Sequence, residues 1–136
     1  MSERRAGRAP TLDDLAALAE AAFAALPAEF RRMTGEVIFR VDDFPPQEVL
    51  DEMGIEDAFE LTGLYQGVDL SRRSLFDPAP QPSLVFLYRR PILDEWAERG
   101  DVTLEELVTH VLVHEIGHHF GLSDADMGHI EAAAGD

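Results

Sequence analysis

The segment from Thr103 to Gly121 constrains the fold more than any other. Thr103 followed three residues later by Glu106 is a capping-box start. Leu104, Leu107, Val108, Val111, Leu112, Val113 and Ile116 then cover most of the circumference of the helix in its second half. A helix that is apolar nearly all round has to be buried. Gly121 stops it, because a residue without Cβ adopts the left-handed conformation that turns the chain sharply. Whatever else this chain builds must wrap around that helix.

The same helix carries chemistry at its end. His114 to Asp124 reads H-E-x-x-H-x-x-G-x-x-D. Residues four apart share a helix face one turn above each other, so the imidazoles of His114 and His118 can converge on one ion. A catalytic zinc usually takes three protein ligands and leaves a fourth position for water. The turn at Gly121 swings Asp124 back towards the rings and makes it the expected third ligand, with Asp126 and His129 as the alternatives. Ser123 and Asp126 also form a capping box, so acids at this point have a purely helical use as well. Glu115 lies about a quarter turn round from His114 and faces a water rather than the metal, which makes it the candidate general base. His119 projects away from His118 and is expected to pack or face solvent. His110 sits one turn before His114, either as a plain partly buried histidine or as a donor supporting the site.

The rest of the chain narrows the class. With 136 residues, 46% of them hydrophobic, it has the material for one core, so a single domain over residues 11–136 is expected after a loose arm, residues 1–10. The chain has no cysteine, so zinc would be held by histidine and carboxylate, as in catalytic rather than structural sites. The first ten residues hold Arg4, Arg5 and Arg8 without the apolar core of a signal peptide, and no long apolar run follows; a cytoplasmic location away from membranes is expected. A formal charge of −16 disfavours nucleic acid as a partner. Nine Asp or Glu and no basic residue lie between Arg40 and Arg72, which reads as a solvated acidic face.

Hydrophobic periodicity orders the elements. Thr11 and Asp14 cap an amphipathic helix that reaches Leu26, Pro27 ends it, and a further turn carries Phe30 and Met33 to Gly35. Glu36 to Asp42 alternates as a strand, Gln47 to Met53 is a short helix closed by Gly54, and Phe59 to Gln66 reads as a second strand, in which Gly63 marks a bulge or a close backbone approach. Residues 67–83 read as loop, and Leu84 to Tyr88 as a compact strand. Pro91 opens a helix from Ile92 to Arg99. Asp124 begins a last short helix through Ile130, after which the chain is expected to fray. This order implies an α+β domain: a small sheet with helices packed on one side.

The motif, together with Gly63-Leu64-Tyr65-Gln66-Gly67 and Leu87-Tyr88-Arg89-Arg90-Pro91-Ile92-Leu93, resembles a family of small bacterial proteins described as minimal zincin-like metallopeptidases. The resemblance spans roughly Val37 to Ile130. It implies a zinc-binding helix against a mixed sheet, one Zn2+ held by His114, His118 and Asp124, Glu115 as catalytic base, and a peptide or protein substrate. Met127 follows Asp124 too closely to be the methionine turn of many zincins and is expected in the core. If Leu84 to Tyr88 is an edge strand beside the metal, an extended peptide can add to it. Tyr65, Tyr88 and His110 are the candidates for stabilising the oxyanion. Two rival readings are a zinc-stabilised interaction module without turnover, and a metal-dependent RNA hydrolase. The second is opposed by the acidic surface, and by a third ligand that is Asp124 where the RNA-maturation proteins sharing the ligand spacing have histidine.

Overall fold

A computed structural model describes residues 9–67 and 82–134. Most of the expected arm and nearly all of the expected loop over 67–83 lie outside the described residues. The elements run α1 (Leu12–Ala25), α2 (Ala28–Thr34), β1 (Val37–Asp42), α3 (Gln47–Met53), a 3-10 turn (Ala58–Glu60), β2 (Gly63–Gln66), β3 (Ser83–Tyr88), α4 (Arg89–Arg99), α5 (Leu104–His119) and α6 (Asp124–Ala134). The fold is α+β with a small mixed sheet, as its sequence implies.

The sheet order is β1-β3-β2, with β3 parallel to β1 and antiparallel to β2. Inserting β3 between the other two pairs both its edges, and separate clusters bury its two faces. Val85 and Leu87 point to the main core with α1 and α5, where Leu15, Ala19, Val108, Leu112 and Ile116 are fully covered. Tyr88 points to the other face and packs with Leu50 of α3 and Leu61, supported by Phe86 and Leu64. Helical structure therefore covers both faces of the sheet rather than one. The compact apolar run 84–88 is the central strand and not an edge, because a strand paired on both sides and covered on both faces has no solvent face to make polar. The edge strand that packs against α5 is β2. There Gly63 permits the approach: a Cβ on it would lie 3.0 Å from Val111 Cγ1 and from the Phe86 carbonyl oxygen.

Other boundaries shift for local reasons. The expected second strand loses its first half to the 3-10 turn, whose N-cap Asp57 accepts a hydrogen bond from the Phe59 amide at 3.0 Å. Helix α4 leaves β3 directly, three residues before the expected start at Ile92, because Pro91 within the first helical turn lacks only an N–H that would have no partner there. Helix α6 continues to Ala134 instead of ending at Ile130. Its buried Met127 and the half-buried Ile130, Glu131 and Ala134 keep one stripe against the body at helical spacing. The other cap expectations match: Thr11 with Asp14 and Thr103 with Glu106 are full capping boxes. Ahead of α5, Trp96 Nε1 donates to the Val102 carbonyl at 2.9 Å and pins the turn that leads into the cap. No helix among the described residues is long and apolar enough to cross a membrane.

Candidate metal centre

Helix α5 buries an apolar side along its length, and its polar residues begin with the exposed Glu105 and Glu106 and end in the histidines of its last turns. Its interior residues Val113, Ile116 and Gly117 are buried, His114 and Glu115 are partly buried, and His118 and His119 are exposed. The helix ends in a Schellman motif: the Leu122 amide donates to the Gly117 carbonyl at 2.9 Å and the Gly121 amide to that of His118 at 3.1 Å. Gly121 takes φ 73°, the left-handed turn that the motif requires. The chain then enters α6 through a reciprocal cap, with the Asp126 amide donating to Ser123 Oγ and the Ser123 amide to Asp126 Oδ2.

Gly117 sets the distance between α5 and α6. A Cβ there would fall 2.5 Å from Met127 Sδ, so the glycine lets the buried Met127 sit as it does against the motif helix. Met127 is a core residue, as expected. That close packing brings the second half of α6 alongside the histidine stripe of α5.

The stripe is continuous. The His110 and His114 rings are stacked with centroids 4.0 Å apart, and His114 and His118 meet edge to face at 5.6 Å. Facing them from α6 is Glu131: its Oε1 lies 2.7 Å from His110 Nδ1 and its Oε2 lies 3.5 Å from His114 Nε2. Among the described residues, His110, His114 and Glu131 are the one group of three whose ligand atoms all come within 4.8 Å of one another. The expected third ligand, Asp124, is exposed in the first turn of α6, and His118 is exposed at the end of α5. Of the alternatives, Asp126 is engaged in the α6 cap, and it and His129 line an open groove with Phe30, Met33 and Ile130. The donor set suits zinc, since it offers imidazole and carboxylate in a chain with no thiolate.

Electrostatics single out two residues. Burial pushes the Glu115 carboxyl up to about 7. Burial also lowers the pKa of His114, helped by the neighbouring His110 and opposed by Glu131, which favours the neutral imidazole that a metal needs. The remaining candidates sort by packing. His119 is exposed and stands edge-on to Tyr65 with ring centroids 4.7 Å apart, so it both faces solvent and packs. Tyr65 donates its buried hydroxyl to Ser83 Oγ at 2.9 Å, and Tyr88 is fully buried in the second cluster. Of the three oxyanion candidates, His110 is the one that stands beside His114.

Sequence reasoning missed Glu131 and Gly117. The helical stripe Met127, Ile130, Glu131 and Ala134 was the available signal for the first. The second is an unspecified position of the motif, and only the neighbouring helix gives it a purpose. A family model described as zincin-like metallopeptidase matches residues 34–134. No curated protein matches the chain.

Proposed function

Because the chain belongs to the zincin-like metallopeptidase family, we propose that it is a zinc-dependent peptidase in which Glu115 is the general base and His114, His118 and Asp124 hold the metal. One observation carries this reading: Glu115, set between the two motif histidines on α5, has a carboxyl held near neutrality by burial. A base works best when its pKa lies close to the operating pH. An ordinary surface glutamate, at about 4.3, would be a poor proton acceptor.

Zinc at this place would polarise the scissile carbonyl and lower the pKa of a water to about 7. Glu115 takes the proton of the attacking water as its oxygen bonds to the carbonyl carbon. The same carboxyl then delivers that proton to the departing nitrogen as the C–N bond breaks, leaving a carboxylate and an amine. Strand β2, at the edge of the sheet and packed on α5, is the element on which an extended peptide would align by backbone hydrogen bonds. On this reading the substrate lies along Gly63–Gln66, an edge strand, rather than along the central Leu84–Tyr88.

The test is metal content and peptide-pool cleavage measured together. The parent is expected to carry about one zinc per chain, lost in His114→Ala, and to cleave. Glu115→Gln should keep the zinc and lose roughly 10²- to 10⁴-fold in rate. Full hydrolysis by Glu115→Gln would remove Glu115 as base. A parent that cleaves nothing and unfolds when stripped of zinc would favour the interaction module instead.

A further inference from the structure

We propose that Glu131 is a ligand of the metal held by His114, and that His110 is the positioning residue that aims it. This rests on the reading of a metal at His114 and gives the third protein ligand to Glu131 rather than to Asp124, so that the fourth position stays open for water.

The distances separate the two roles. Two bonds of about 2.1 Å meeting at a tetrahedral ion hold their ligand atoms roughly 3.4 Å apart. Glu131 Oε2 and His114 Nε2 are 3.5 Å apart, the spacing of two atoms that share an ion. Glu131 Oε1 and His110 Nδ1 are 2.7 Å apart, which is too close for two ligands and right for a charge-assisted hydrogen bond. As a metal ligand Glu131 binds as a carboxylate, which only accepts, so this role requires the His110 tautomer that donates from Nδ1. One oxygen of Glu131 is thereby fixed by His110, and the other is turned towards His114. Metal-binding carboxylates are commonly held by such a second hydrogen bond, which removes the rotamer freedom that would otherwise weaken binding.

The fold supplies this arrangement at little cost. Helix α6 is seated by Met127 against Gly117, and Glu131 lies one helical turn further along the same side. Its side chain keeps 26% of its exposure, so an ion can reach it from solvent without the helices parting. A carboxylate from α6 beside the imidazole of His114 also lowers the net charge of a bound dication.

The experiment is competition for zinc against a chromogenic chelator, with the visible spectrum of the cobalt(II)-substituted protein recorded alongside. Far-UV circular dichroism of each metal-free variant checks the fold. Glu131→Gln, which keeps the shape and loses the charge, should weaken zinc binding about 100-fold and alter the cobalt bands. His110→Ala should weaken it about tenfold, and His110→Asn, which keeps a donor near the Nδ1 position, should recover most of that loss. Glu131→Gln binding zinc within about twofold of the parent would overturn the proposal, as would weaker binding with an unchanged cobalt spectrum, which makes Glu131 a packing residue. His114→Ala tells the two readings apart. If it loses the metal while Glu131→Gln does not, the metal reading stands and only the role of Glu131 falls. If it binds as tightly as the parent, both fall.

Discussion

Asp124 and Glu131 are carboxylates of one helix, two turns apart, and they stand in opposite relations to the motif. Asp124 is part of it by sequence, exposed in the first turn of α6 just past the Schellman turn. Glu131 is outside it, half-buried, and in contact with two histidines of α5. The difference lies in where the helix is fastened. Its start is held by the Ser123 and Asp126 cap, which sets backbone direction but covers little side chain. Its middle is held by Met127 against Gly117, which presses the following turn onto the histidine stripe. A residue close to a motif in sequence is near it by connection, whereas a residue close to it in space is there by packing.

Four measurements break or sharpen this contrast. Met127→Ala removes the fully buried side chain between the helices and should cost about 2–5 kcal/mol in chemical denaturation, with a larger loss of zinc affinity than any change at the α6 cap produces. Gly117→Ala changes no candidate ligand but crowds α6, because its Cβ would meet the buried Met127 side chain at 2.5 Å from Sδ and 2.9 Å from Cγ. It should cost about 1–3 kcal/mol, and unchanged stability would show that the two helices are not held by this contact.

The third concerns pH in the metal-free protein. The folded-state pKa of Glu115 is raised to about 7, so the folded chain binds more protons than the unfolded one between about 4.5 and 7. The stability associated with protonated Glu115 is complete below that window and is lost as pH rises through it, an effect of about 1–2 kcal/mol after allowance for solvent screening. Glu115→Gln should flatten this slope and be the more stable protein at pH 8. His114, whose pKa is shifted the opposite way, is present in both proteins and cancels in the difference. The smallest effect is expected from Ser123→Ala, about 1 kcal/mol from the lost cap. It loosens the Asp124 end of α6 and leaves the Glu131 end seated, so zinc affinity that drops with it points to Asp124 and affinity that holds points to Glu131.

Much of this was legible in the residues. Capping boxes at Thr11 and Thr103 depend on side chains three residues apart, so they could be read from spacing and they appear as read. The left-handed Gly121 and the edge-to-face contact of His114 with His118 are likewise local. Where reading failed, the deciding contact came from a distant part of the chain. Leu84 to Tyr88 has the composition of a buried strand, but which strands flank it is a matter of topology, and the structure puts it in the centre and Gly63–Gln66 at the edge. Residues 131–134 are expected to fray after Ile130, yet they continue α6 to Ala134. They are held because Met127 finds a glycine on another helix.

By itself, the sequence determined an α+β domain around a buried helix, the two-histidine face of that helix with Glu115 beside it, and the turn that ends it, since all of these follow from periodicity, caps and backbone conformation over a few residues. Only the tertiary structure decided that Glu115 is buried enough to hold its proton near neutrality, that β2 is the edge beside the motif, and that Glu131 faces His114. Desolvation, strand order and helix contact each depend on residues far apart in the chain, and no local pattern encodes which of them will meet.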